Sequence, residues 1–208
     1  MPLTIDRADV AALTARASAL SAAGRALLGI TGPPGAGKST LAAELVAALG
    51  PAAVLVPMDG FHLAQSELKR LGRHDRKGAV DTFDAAGFVA LVRRLRAGDE
   101  DVYAPTFRRD LEEPVAGAIN VAANVPLVVL EGNYLLVADP PWQSLRELFD
   151  EVWYVELDRE ARIERLVARH VAFGRDPVVA RAWALGSDER NAELIAATRD
   201  RADVVVIG

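Results

Sequence analysis

The sequence contains no cysteine, which excludes disulfides and thiolate metal sites. It has three histidines in all, and His62 has no histidine close to it in the chain, so no histidine metal cluster is expected. No segment approaches the roughly twenty apolar residues of a membrane span. Met1 to Ser21 also lacks the basic start and continuous apolar run of an export signal. An excess of positive charge is missing too: the net charge of -5 argues against a broad nucleic-acid surface, although a local basic cleft remains compatible with it. Repeats, low-complexity tracts and an interdomain linker are likewise absent, so residues 1 to 208 read as one domain.

What is present is a core. Hydrophobic residues make up 51% of 208 positions, enough for a single α/β domain with inserted elements. Apolar runs at Leu27 to Ile30, Val54 to Val56, Val125 to Leu130, Val152 to Leu157 and Val204 to Ile207 read as buried strands, and helical patterns alternate with them. That alternation predicts a parallel sheet covered on both faces, a three-layer α/β/α fold. A helix over residues 6 to 22, within an N-terminal segment 1 to 24, carries Val10, Leu13, Ala17 and Leu20 on one face. Residues 60 to 121 form an insertion that includes a polar, basic stretch, a helix starting at Asp84 and ending near Gly98, and an extended flap over 101 to 121. A lid spans about 159 to 186.

The most informative stretch runs from Ala26 to Thr40 and contains Gly32-x-x-x-x-Gly37-Lys38-Ser39 between a strand and an amphipathic helix. This is the phosphate-binding loop in its required context. Gly35 and Gly37 permit backbone conformations in which successive N–H groups point inward at phosphate oxygens, so Gly32, Pro33, Pro34, Gly35, Ala36 and Gly37 are the expected nucleotide-binding loop. Lys38 reaches the β and γ phosphates, Ser39 offers a hydroxyl to Mg²⁺, and Thr40 lies toward the α-phosphate. A nucleotide with Mg²⁺ is therefore expected here, and ATP use would suggest the cytoplasm.

Two strand-end carboxylates come next. Asp59, in Met58-Asp59-Gly60-Phe61-His62, is placed to accept a proton from a substrate hydroxyl, or else to cap a turn or support Mg²⁺ through water. Glu131 ends the strongest apolar strand and is placed to hold Mg²⁺, its alternative being a salt bridge. Arg162, Arg165 and Arg169 recur on one helix face before Gly174-Arg175, which suits a lid closing on phosphates as well as a solvated face. Asp81, His62, Tyr103, Phe107, Arg108 and Arg109 are candidates for the acceptor pocket; the hairpin residues fit an ordinary surface equally well.

Together these residues resemble the P-loop kinases that include uridine kinase, phosphoribulokinase and type I pantothenate kinase, closest to small proteins described as fructose transport system kinases. The resemblance covers Leu27 to Val206 and adds Asp81-Thr82-Phe83-Asp84 and Leu130-Glu131-Gly132-Asn133 to the motifs above. It implies a P-loop NTPase fold with five parallel strands, ATP with Mg²⁺, Asp59 as base and Glu131 near the metal. The implied partner is a small-molecule acceptor; neither nucleic acid nor membrane is implied, and a homodimer is compatible.

The chain departs from uridine kinases at Pro105-Thr106-Phe107-Arg108-Arg109, where a nucleoside-pocket carboxylate is replaced by Arg108 and no histidine follows. That disfavours uridine and favours an anionic acceptor. A nucleotide switch fits less well: Asp75-Arg76-Lys77-Gly78 matches Asp-x-x-Gly but follows no buried strand, and no guanine motif occurs. An ATP-binding metabolite sensor is the remaining alternative.

Overall fold

A computed structural model describes residues 1–208. Its main sheet is parallel throughout, in the order β1 (Leu3–Asp6), β8 (Val204–Ile207), β7 (Glu151–Glu156), β2 (Ala26–Thr31), β6 (Leu127–Glu131), β3 (Ala53–Pro57). β2 and β6 are buried at every position because both faces of the sheet are covered, which is why they read as continuous apolar runs. On one face α1 (Val10–Leu20) and α2 (Lys38–Leu49) bury Leu13, Leu41 and Leu45 against Ile30, Val129 and Trp153. On the other, α4 (Ala85–Ala97), a 3₁₀ segment (Trp142–Leu148) and α7 (Glu189–Ala196) gather Phe88, Tyr134, Trp142 and Ile195.

The expected five strands are six. Leu3–Asp6 pairs with β8 from Leu3↔Val204 to Asp6↔Ile207. This edge strand is four residues long and exposed at three of them, so it carries no apolar run for hydrophobic patterning to find. The N-terminal helix is correspondingly shorter than the span 6 to 22. It starts where the Asp9 carboxylate accepts from the Ala12 N–H at 3.0 Å.

Between β3 and β6 the chain forms α3 (Gln65–Arg70), α4 and an antiparallel hairpin of β4 (Val102–Arg108) and β5 (Glu113–Val121) outside the main sheet. Asp84 caps α4 by accepting from the Gly87 N–H at 2.8 Å, and Gly98 ends it in the left-handed conformation. After β7, α5 (Arg159–Ala172) leads to α6 (Pro177–Trp183). α6 continues through one π-helical turn, Ala184–Asp188, directly into α7. α6, the π turn and α7 thus form one run with a wide turn. No helix is long and apolar enough to cross a membrane.

β3, β6 and β2 are neighbours and parallel, so the turn after Pro57, the residue Glu131 and the loop after Thr31 all emerge at the same edge of the sheet. That edge is where open parallel sheets bind ligands.

Candidate active site

The loop from Gly32 to Gly37 ends at the first residue of α2, and Gly37 takes φ +98°, a left-handed conformation that favours glycine. No side chain caps α2, so its first N–H groups stay free for an anion. Gly35 lies against α5; Pro33, Pro34 and Ala36 are buried, and Pro34 lines the cleft. Lys38 is 6% exposed, and its ammonium donates to the Pro33 carbonyl at 3.0 Å. Burial lowers its pKa, and the carboxylates of Glu131 and Asp59 oppose that shift.

Lys38, Ser39, Asp59 and Glu131 line one cleft of about 450 Å³. Burial pushes the Glu131 carboxyl up to about 7; Asp59 adds to the shift, while Lys38 and a hydrogen bond from Ser39 oppose it. A buried carboxylate beside a serine hydroxyl suits Mg²⁺. Phosphate oxygens and water would supply the remaining ligands of an ion held there by one carboxylate. Thr40 is exposed beyond this cleft.

The acceptor half is walled by aromatic rings. The His62 imidazole lies between Phe83, with ring centroids 4.0 Å apart, and Phe107, at 4.9 Å. Its Nδ1 is 2.9 Å from the Asp59 carbonyl, which can only accept, so Nδ1 carries the proton. Burial draws the His62 pKa below its usual range and leaves the ring neutral at pH 7. Gln65, Lys77 and Glu112 complete this half. The Lys77 ammonium lies 4.7 Å from the Phe107 ring centre and donates to the Glu112 carbonyl at 2.6 Å.

Several expected site residues lie elsewhere. Asp81 is tied to Arg76 at 2.8 Å and Arg73 at 3.3 Å, holding the loop before α4 rather than lining the cleft. Tyr103 is 60% exposed and outside the cleft. Arg108 points to solvent and pairs with Asp110 at 2.5 Å; the cation that enters the cleft is Arg109, 3.6 Å from the Asp59 carboxylate. The cause is a register shift between Ala104 and Thr106. The bulge brings Phe107 and Arg109 to the cleft and leaves Arg108 outside it.

The lid arginines also separate. Arg162 is buried, bonds Glu189 and donates to the Pro34 carbonyl at 3.3 Å, bracing the phosphate loop from behind. Arg165 runs beside Gly37, outside the cleft lining, whereas Arg169 lines it. Arg175 also lines it, stacked 4.2 Å from the Trp183 ring centre, with a buried Nη1 that has no protein partner, a donor suited to a phosphate oxygen. Helical spacing missed His170 on α5, Asp188 in the π turn and Asn191 on α7, all of which line the cleft; His170 and Asp188 pair at 2.8 Å. Asp75 of the Asp-x-x-Gly match is exposed and far from any metal role, its carboxylate side chain 84% accessible.

Residues 27–207 match the family model described as Phosphoribulokinase / Uridine kinase family. A presumed uridine kinase of Schizosaccharomyces pombe is 38% identical over 160 residues, 72% of this chain and 68% of that protein. A pantothenate kinase of Mycolicibacterium vanbaalenii is 33% identical over 143 residues, 66% of this chain but 44% of that longer protein. Among solved structures, a presumed fructose transport system kinase from Silicibacter sp. TM1040 superposes with a TM-score of 0.83. It is 38% identical, with 94% of this chain and 98% of that one covered.

Proposed function

This chain belongs to the phosphoribulokinase / uridine kinase family and is a P-loop kinase with an alcohol acceptor, and we propose that it moves the γ-phosphate of ATP to the hydroxyl of a small metabolite beside Asp59. The observation that carries the reading is the sharing of one cleft by a phosphate grip, centred on Lys38, and a second, aromatic-walled compartment at His62 and Phe107. A nucleotide switch has no use for the second compartment.

In this reading Asp59 orients the acceptor hydroxyl and takes its proton as the oxygen attacks phosphorus. Lys38 draws the phosphates into the loop, and Arg169 and Arg175 neutralise charge from the lid side. Ser39 and Glu131 would hold Mg²⁺, which when bound supplies further charge neutralisation and orients the phosphates. Closing the lid excludes water from the transfer.

The acceptor belongs to the sugars, the pantothenate-like alcohols or the nucleosides. The fructose context attached to the Silicibacter relative makes sugars the first arm of a screen. ADP formation is measured with fructose, other sugars, sugar phosphates, nucleosides and pantothenate, with products identified by mass. One class is expected to raise turnover well above the acceptor-free rate. ATP binding without transfer to any class would replace this reading with that of an ATP-binding metabolite sensor.

A further inference from the structure

We propose that Arg109, on the turn of the β4–β5 hairpin, is a catalytic residue that contacts the phosphoryl group in transfer. This supplies a phosphate-binding cation from the acceptor side of the cleft in addition to those of the lid. The inference rests on the kinase reading above.

The hairpin is fixed where it crosses the end of β3. At Gly60 a Cβ would stand 2.4 Å from the Pro105 carbonyl oxygen, so backbone meets backbone with no room for a side chain. The other strand is held by the Glu113 carboxylate, which accepts from the Gln65 N–H at 3.0 and 3.1 Å. The turn itself is tied down through Glu112, whose carbonyl accepts from Lys77 and whose φ of +54° makes it the one residue other than glycine in the left-handed region. A side chain on this turn therefore leaves from a positioned backbone.

Arg109 leaves it toward the reacting end of the cleft. Its Nη2 lies 3.6 Å from the Asp59 carboxylate, and its guanidinium rests 5.4 Å from the ring centre of Phe173, just past the end of α5. At 3.6 Å the ion pair is longer than a hydrogen bond, so the planar fork is beside Asp59 without being saturated by it. The side chain is half-exposed and has room to swing. Lys77, by contrast, is engaged deeper in the acceptor half by Glu112 and Phe107.

Arg109 thus stands between the base that receives the acceptor hydroxyl and the lid that covers the nucleotide, where the phosphoryl group must pass. In the step, the acceptor O–H proton goes to Asp59 and the new O–P bond forms. The bond from phosphorus to the β–γ bridging oxygen breaks, and its electron pair leaves on ADP. The guanidinium fork matches the equatorial oxygens that carry the charge in this transition state.

The test compares Arg109→Gln, Arg109→Lys and wild type in steady-state transfer to the acceptor and in slow transfer to water without acceptor. Nucleotide affinity and melting temperature are measured alongside. Both rates of Arg109→Gln are expected to fall at least about 100-fold, with acceptor KM, ATP Kd and melting temperature little changed and partial recovery in Arg109→Lys. Phe173→Ala, which removes the ring under the guanidinium, is expected to lose kcat about threefold to tenfold. Unchanged kcat in Arg109→Gln overturns the proposal. A rise in acceptor KM at unchanged kcat also overturns it, because Arg109 would then hold the acceptor in its ground state. A wild-type enzyme that transfers phosphate to nothing overturns the kinase reading and this inference together; wild-type transfer matched by Arg109→Gln overturns this inference alone.

Discussion

Gly60 and His62 show how single residues build the acceptor half. Adding a methyl group at Gly60 drives it into the Pro105 carbonyl, so Gly60→Ala must displace the hairpin. We expect a loss of about 1 to 3 kcal/mol by calorimetry, together with weakened acceptor binding; an unchanged melting temperature would refute the close approach. His62 gives a pH signature. Burial holds its pKa below the usual value, so as pH falls the unfolded chain binds the proton first and stability is lost below about pH 6.5. His62→Gln should melt at a temperature that varies less with pH between about 5 and 7, and a slope equal to that of wild type would exclude His62 as its source. Asp59, Lys38 and Glu131 were legible in the sequence because a strand end or a glycine-rich loop announces its own geometry. Arg108 and Arg109 were both candidates for the acceptor pocket, and nothing in the pattern chose between them, because the bulge in β4 that sets which side faces the cleft leaves no periodic trace.

Among the elements, α5 combines two tasks that its sequence presents as one. Arg162, Arg165 and Arg169 follow helical spacing, yet Arg162 is turned against Glu189 and the phosphate loop while Arg169 enters the cleft. Spacing fixes which residues share a helix face and leaves open what that face packs against. Arg162→Ala leaves Glu189 without its buried partner and the loop without its brace. We expect about 3 kcal/mol of destabilisation, read as a lower denaturant midpoint, with ATP affinity falling as well. A midpoint equal to wild type would make the pair dispensable. The π turn at Ala184–Asp188 was equally illegible, since one extra residue in a helical turn looks like the end of one helix and the start of another. Asp188 lies in this turn and pairs with His170, and Asn191 on α7 lines the cleft.

At the scale of the whole molecule, the parallel sheet lays the phosphate loop, Asp59 and Glu131 along one edge because β2, β3 and β6 are adjacent. This much followed from alternating strands and helices; only the edge strand Leu3–Asp6, too short and exposed to announce itself, escaped notice. A site that spans the loop, the insertion and the lid should couple ligand binding to global stability. ATP with Mg²⁺ at about one hundred times its Kd is expected to raise unfolding free energy by about 2.7 kcal/mol, and chelating the metal should abolish turnover and most of that gain. Stabilisation undiminished by chelation would exclude a metal-assisted grip.

The most direct measurement compares wild type with Asp59→Asn, following γ-phosphate transfer to the acceptor and ATP affinity on the same preparations. Phosphoryl transfer with Asp59 as base predicts a fall in kcat of about 100-fold to 10,000-fold at unchanged ATP Kd. Transfer by Asp59→Asn at the wild-type rate would contradict it.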